Sequence, residues 1–426
     1  MAKEPALIGL DIGTSGIKAV AFDLTGGELA KAIEPTPTRH LPDGRAEHDP
    51  EELWTTCISV LTSVGSLLAD REIVPIAMAC SSMAEAGVLL GAGGEPVYPI
   101  IPWFDSRTET LVRWWRSEIG VEATAGVCGV VPHPMFGMPK LMWIRDHEPK
   151  AFAAGRVWLN MADYAEYRMC GSVTTDYSLA SRTLVLDLVE RRWSTELLDA
   201  IGIAPNLLAE LVPAGTRVGA LHGGVAATCG LPAALPIVRG GQDHVCAATA
   251  FGITEAGVVL DSIGTAEAFF AARTTPDMTG RLWPDELNQG VHVVPGLTYV
   301  MTGTGEGAGR IDAHRAKLGV DFATYLAAAA TKGPEREMVE SLAVEGQQLF
   351  ERMAWASETS DIRHVATGGG TRIPLLMQRK REIGGREIEV PDIAEATCLG
   401  AALLAGAGVG VYSSIEGAPA EALTSL

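Results

Sequence analysis

The chain carries one strand–turn–strand pattern twice, and no other feature restricts its fold as strongly. The first copy, LIGLDIGTSGIKAVAFDL from Leu7, is an apolar run that ends in Asp11, turns through Gly13, Thr14, Ser15 and Gly16, and leaves past Lys18 as a second apolar run. The second, GVVLDSIGTAEAFFAA from Gly257, ends its first run in Asp261, turns through Ser262, Gly264 and Thr265, and again leaves as a strand. A unit that recurs in one chain predicts two related lobes.

The segments around these copies indicate what each lobe is made of. Gly26 and Gly27 supply a hairpin turn, and the stretch near Lys31–Thr38 reads as a third strand. DPEELWTTCISVLTSVGSLLAD opens on Asp49-Pro50 and spaces Leu53, Trp54, Cys57, Val60 and Leu61 as a helix, after which IVPIAMACSS reads as another strand. Strands followed by alternating helices imply an α/β fold, each lobe a mixed sheet flanked by helices. With 426 residues the chain is long enough for two cores. Pro232 and Pro236 break it within LPAALPIVRGGQDH, which places the boundary near residue 240, with lobes 1–240 and 241–426.

Composition narrows the partners. Asp and Glu number 52 against 33 Lys and Arg, a net charge of −19, so nucleic acid and anionic membrane surfaces, which need clustered cations, are not expected. No apolar run approaches the length of a membrane span, and the start MAKEPALIGLDIG lacks a signal pattern, so the expected location is the cytoplasm. Seven cysteines, an odd number without a CxxC pair, read as buried free thiols rather than a disulfide frame or zinc site.

Glycines in a turn let backbone N–H groups converge on an anion, hydroxyls add donors, and a carboxylate at the strand end can hold hydrated magnesium. A single such turn is equally well a plain hairpin with a solvated Asp. The second copy favours two phosphate-gripping turns facing each other across a cleft, neither of them a GxxxxGK[ST] loop. A third loop, in HVATGGGTRIPLLMQ, sets Gly368, Gly369 and Gly370 between a short strand and a helix, where a flat ligand can approach closely.

Taken in order, DIGTSGIK, GGQDH, LDSIGTAEAF and ATGGGTRIP resemble the FGGY carbohydrate kinases of the actin-like ATPase superfamily, as do FGMPKLMWIRDHEP, TTDYSLASRTLVLD and EATCLGAALLAG. The resemblance implies two actin-like (ribonuclease H-like) lobes about a central cleft, with ATP and Mg2+ as cofactors. By position it assigns Asp11 to the metal and Gly13, Thr14, Ser15 and Lys18 to the first phosphate loop. Ser262, Gly264 and Thr265 fall in the second phosphate loop, and Gly368, Gly369 and Gly370 in the adenosine loop. Asp243, in GGQDH, falls at the general base; Glu85 and Trp103 fall at sugar- or polyol-contacting positions, with Asp105 and Arg107 nearby. A pentulose such as xylulose is the expected substrate, resting on the frequency of that activity in the family. Ribulose, glycerol, erythritol and gluconate are the alternatives, and Ala84, Gly137 and Ile373 depart from the family's usual residues without deciding among them. A small sugar is the expected partner and a homodimer the candidate assembly.

Elementary chemistry supports the same roles. A sugar hydroxyl is a poor nucleophile until a carboxylate takes its proton, although Asp243 ahead of HVCAATAFG also reads as a helix N-cap. Trp103 reads as a sugar-facing wall or a core aromatic, and Asp105 and Arg107 as a site pair or simply each other's partners. Glu85 lies between two apolar runs, where an unpaired carboxylate is costly and sugar hydroxyls would satisfy it.

Two readings from other classes compete. Gly303, Gly305 and Ala308 form a partial GxGxxG-like fingerprint of a dinucleotide oxidoreductase, with Asp321 as its acid. A nucleotide-dependent binding protein on the same actin-like lobes is the other, and retention of Asp243 and Glu85 argues against it.

Overall fold

The computed structural model describes residues 3–284, 286–305 and 307–418. Its first large sheet is built from β1 (Pro5–Ile12), β2 (Gly16–Phe22), β3 (Glu28–Pro35), β4 (Val74–Ser82), β5 (Arg217–Ala220) and β6 (Pro236–Gln242), in the order β5-β6-β4-β1-β2-β3. β1 and β2 are antiparallel, whereas β4 runs parallel to β1 and β6 parallel to β4. The second sheet repeats this pattern with β7 (Val258–Ile263), β8 (Glu267–Arg273), β9 (Asn288–Val291), β10 (Thr298–Thr304) and β11 (Arg363–Thr367), ordered β9-β10-β8-β7-β11. Here β8 is antiparallel to β7 and β11 parallel to it. The counterpart of β6 has shrunk to a single parallel bridge, Val365 to Glu389.

Period-two alternation explains how the sheets are covered. In β1, Ile8, Leu10 and Ile12 face one core with α1 (Pro50–Ala69), while Leu7, and by alternation Gly9 and Asp11, face α3 (Ala396–Gly408). Contrary to the expectation above, α1 does have the length and mean hydropathy (1.3) of a membrane span. Its Leu53, Cys57, Val60, Leu61 and Val64 are nonetheless buried against the sheet, and Asp49 caps its start by accepting from Glu51 and Glu52.

Two helices cross between the sheets. α2 (Asp243–Ala250) leaves β6 of the first sheet and places Val245, Cys246 and Ala248 in a core with Val258, Leu260 and Phe270 of the second. α3, at the far end of the chain, returns the exchange and packs Cys398, Leu399 and Leu403 with Leu7 and Val20 of the first. The crossing is tight: a Cβ on Gly400 would lie 1.9 Å from the Cys246 carbonyl oxygen, and one on Gly9 would lie 1.9 Å from that of Cys398. Only glycine permits such backbone approaches.

The fingerprint at Gly303 and Gly305 does not form a dinucleotide fold. β10, which carries Gly303, is antiparallel to both neighbours, where that fold needs a parallel β-α-β unit, and Asp321 caps the helix Phe322–Ala329. All seven cysteines are free thiols, six of them buried.

Candidate active site

The first turn, the candidate base and the sugar-side residues converge on one cavity of about 160 Å³. It is lined by Thr14, Met83, Ala84, Glu85, Trp103, Met135, Arg182, Gln242, Asp243, His244 and Met301. His244 and Met301 also line a larger cleft of about 720 Å³ and a small recess that contains Ser262 and Thr367. These two side chains therefore join the first-turn cavity to the second turn. Asp11, Gly13, Ser15, Lys18, Gly264, Thr265 and Gly368–Gly370 are not among the residues lining these cavities.

Asp11 is buried at the end of β1, where Ser81 donates to its Oδ1 (3.2 Å). Burial first, and then the negative charge of Asp243, push its carboxyl up to about 7. Lys18, its register partner on β2, tempers this only partly, because its ammonium is taken by Glu395 at 3.0 Å. Thr14 accepts from Trp103 Nε1 (2.9 Å), which ties the partly exposed indole to the first turn and settles its position at the cavity rather than in the core.

Asp243 is the first residue of α2, not its cap; that position belongs to Gln242. Its Oδ1 accepts from the His244 backbone N–H (2.7 Å) and lies 3.0 Å from His244 Nδ1, and the carboxylate raises the imidazole pKa. Beneath it, β6 is anchored by Arg239, which is fully buried and pairs with Asp163 (2.6 Å) and Glu166 (2.7 Å) of the helix Met161–Cys170.

Glu85 is not left unpaired, as its setting suggested. Arg182 Nε donates to its Oε1 at 2.5 Å, and the residue adopts a left-handed backbone (φ 65°) that side chains favour only where surroundings impose it. Asp105 lies away from the cavity. Both its oxygens accept from Arg107 at 2.9 Å, Oδ2 also accepts from the Ala46 N–H, and Arg107 reaches on to Glu47, so the pair is a buried structural tie.

Ser262 faces the small recess that shares His244 and Met301 with the first-turn cavity. Gly264 and Thr265 are bound to the start of the next helix, their carbonyls accepting from Ala308 and from Gly307 and Gly309. The glycine loop packs beside this turn: a Cβ on Gly370 would meet Ile263 Cγ2 at 2.2 Å, whereas one on Gly369 would meet nothing within 4 Å. Gly368 has φ 91° and turns the chain from β11 into the short helical turn Gly369–Arg372.

Two side chains escaped individual assignment although both lie in motifs quoted above. Arg182 stands in TTDYSLASRTLVLD and lines both the first-turn cavity and the larger cleft. Lys140, in FGMPKLMWIRDHEP, is buried and donates to the carbonyl oxygens of Phe136 (3.1 Å) and Met135, which fixes the loop that carries Met135 into the cavity; burial pulls its pKa down to about 7. For Lys140 the signal was a charged residue inside an apolar run, which implies a buried partner; Arg182, between Ser181 and Thr183, carried no such signal.

Comparison with known proteins bears on this geometry. The profile of the FGGY family of carbohydrate kinases, N-terminal domain, matches residues 6–252, and that of the C-terminal domain matches residues 336–409. The chain belongs to the FGGY family of carbohydrate kinases. It is 26% identical to a xylulose kinase of Bacillus subtilis (96% of this chain, 89% of that protein) and 25% identical to an L-fuculokinase of Escherichia coli (98% and 96%). The solved structure of a xylulose kinase from Rhodospirillum rubrum superposes with a TM-score of 0.85 at 25% identity, covering 95% of this chain and 90% of that one. As a carbohydrate kinase of this family it is a phosphotransferase, and the two-lobed actin-like fold expected from the sequence is the one its structural neighbours share.

Proposed function

We propose that the chain transfers the γ-phosphoryl group of ATP to a hydroxyl of a pentulose such as xylulose, with Asp243 as general base. The observation that carries this reading is the single cavity in which Thr14, Glu85, Trp103 and Asp243 meet. At about 160 Å³ it lies below the usual size of drug-ligand pockets and suits a small sugar. The names of the similar proteins, xylulose kinase and L-fuculokinase, add support for a sugar and leave its identity to experiment.

In this reading the sugar lies against the Trp103 indole, with Glu85 accepting from its hydroxyls. Asp243 uses Oδ2 to take the proton of the attacking hydroxyl, since Oδ1 is engaged with His244. The backbone of the first turn and the Thr14 hydroxyl hold the transferred phosphoryl group, Ser262 and Thr265 the remaining phosphates, and Gly368–Gly370 the adenosine. Closure of the two lobes excludes water so that attack proceeds in line.

Magnesium fits the residues present. Asp11 is a buried carboxylate next to a second one, Asp243, and its register partner, Lys18, is committed to Glu395. A hydrated divalent ion held by Asp11 would relieve that repulsion and neutralise charge developing between the phosphates.

ADP release measured with MgATP and a panel of xylulose, ribulose, fuculose, glycerol, erythritol and gluconate tests the substrate. A pentulose should give the highest kcat/KM. A higher value for glycerol or gluconate would refute the assignment, and absence of sugar-dependent release would favour a binding role.

A further inference from the structure

One buried ammonium ties both flanks of the second turn to the helix that follows the glycine loop. Asp261, in β7, stands directly before Ser262, and Glu267 opens β8 directly after the turn. Pairing across the hairpin puts Asp261, Ile263, Glu267 and Phe269 on one face and Ser262 on the other. Lys380 meets the first face from the helix Pro374–Gly384, which begins just past the short turn Gly369–Arg372. It donates to Asp261 Oδ2 (2.6 Å) and to Glu267 Oε1, and its Nζ lies 5.4 Å from the centre of the Phe269 ring. Among the described residues no other side chain binds both carboxylates.

The cluster is a weak source of stability. Two buried carboxylates share one ammonium, Asp261 Oδ1 has no hydrogen-bond partner among the described residues, and burial lowers the pKa of His364, which lies 3.3 Å from Asp261. Burial, and then the charge of Asp261, push the Glu267 carboxyl up to about 7. Apolar residues of the same volume commonly serve a fold as well as such a group, whereas an ion pair fixes its members in one geometry. The protein also keeps room for it. A Cβ on Gly346, inside the helix Pro334–Ala356, would lie 2.7 Å from both Lys380 Nζ and Glu267 Oε1.

We propose that Lys380 is a positioning residue for the nucleotide: by holding both flanks of the second turn from the helix that follows the glycine loop, it fixes the spacing between turn and loop. The proposal rests on the assignment of the turn to phosphates and the loop to adenosine. ATP spans the two, so its ends bind together only where that spacing is right, and a ligand held at two linked sites loses affinity when their registry is lost. Adenosine needs the loop alone. Disturbing the clamp should therefore weaken ATP and spare adenosine.

The test measures dissociation constants of MgATP by calorimetry and of adenosine by NMR titration, with Tm as the control for folding. Gly346→Ala is the sharpest probe, because the nearest atoms to the new methyl are the ends of two flexible side chains, and alanine is the better helix former. What yields is the clamp. The variant should bind MgATP roughly 3- to 30-fold more weakly, with adenosine within about twofold of wild type and Tm within about 3 °C. Lys380→Met strands two buried carboxylates and should lower Tm as well as MgATP affinity. Adding Asp261→Asn and Glu267→Gln to it removes those charges, and should recover Tm without recovering MgATP affinity. Equal weakening of MgATP and adenosine would make the cluster a general support of the lobe and overturn the proposal. Unchanged MgATP affinity in Gly346→Ala, or affinity that returns with Tm in the triple variant, would overturn it too, and so would a Gly346→Ala protein that does not fold, since the pair would then belong to the core. Gly369→Val separates the two layers of the reading. If it weakens neither ligand, the nucleotide assignment falls; if it weakens both while Gly346→Ala changes neither, only the clamp falls.

Discussion

Replacing Asp11 by Asn should make the protein more stable while impairing it as an enzyme. In the unfolded chain this carboxyl ionises near pH 3.8, in the folded chain only near 7, because burial and the charge of Asp243 disfavour the anion. Between those values folding requires a proton that the unfolded chain has released, so Asp11 destabilises the fold increasingly as pH rises, and the effect levels off above pH 7. The separation corresponds to about 4 kcal/mol at pH 8 and under about 2 kcal/mol at pH 5. Asn fills the same space, can still accept from Ser81, and carries no charge to bury. Urea denaturation followed by circular dichroism, without nucleotide or magnesium, should show Asp11→Asn more stable than wild type at pH 8, with a margin that narrows by about half or more at pH 5. A variant no more stable at pH 8, or a margin independent of pH, would refute the reasoning. In turnover assays the same variant should be slower and need more magnesium for half activity, because the group proposed to hold the ion is gone.

Other perturbations separate the parts of the site. Asp243→Asn should lower turnover at least about 10²-fold with nucleotide binding retained, and near-normal turnover would remove Asp243 from its role. By calorimetry Gly369→Val should weaken nucleotide binding and spare the sugar, since its new side chain meets no protein atom within 4 Å at Cβ and enters space assigned to adenosine. Glu85→Ala should do the reverse, weakening sugar by on the order of 1–3 kcal/mol; the opposite pattern in this pair would exchange the two assignments. Gly400→Val would force a Cβ to 1.9 Å from the Cys246 carbonyl and should destabilise the fold by about 1–3 kcal/mol or more, read as a lowered Tm; an unchanged Tm would mean the two crossing helices are not held this close.

The local elements of the fold were legible because their determinants are local. Apolar alternation marks β1, the Asp49-Pro50 start marks α1, and Gly26, with φ 80°, sits in the turn between β2 and β3. What the sequence could not show is how distant segments satisfy one another. Glu85 and Arg182 lie 97 residues apart, and neither one's pattern names the other. Asp105 and Arg107 show the converse. Two residues apart, they were readable as site groups or as partners, and the backbone folds them into a mutual ion pair closed by Glu47. The exchange of α2 and α3 between the sheets was likewise hidden, because it depends on small residues such as Gly9 and Gly400 meeting backbone far away in sequence.

The duplicated turn shows most clearly why a sequence echo and a chemical echo differ. Read as apolar runs ending in a carboxylate, the two copies pair Asp11 with Asp261. Aligned on Ile-Gly-Thr, however, Ile12-Gly13-Thr14 matches Ile263-Gly264-Thr265, and the residue opposite Asp11 is Ser262, with Asp261 opposite Leu10. One residue in a strand reverses the face. Leu260 accordingly faces the core that contains α2, and Ser262 the small recess on the same side. Asp261 points the other way and is clamped by Lys380 (2.6 Å) and His364 (3.3 Å), and Lys380 also binds Glu267. Lys380 holds the Asp261 carboxyl below its ordinary pKa against the opposing effect of burial, whereas at Asp11 burial and Asp243 prevail. Repetition of the fold has therefore left a single strand-end carboxylate beside Asp243, and the second lobe offers a hydroxyl in its place. That asymmetry suits a reaction in which one end of a polyphosphate meets a metal and a nucleophile while the other is only held.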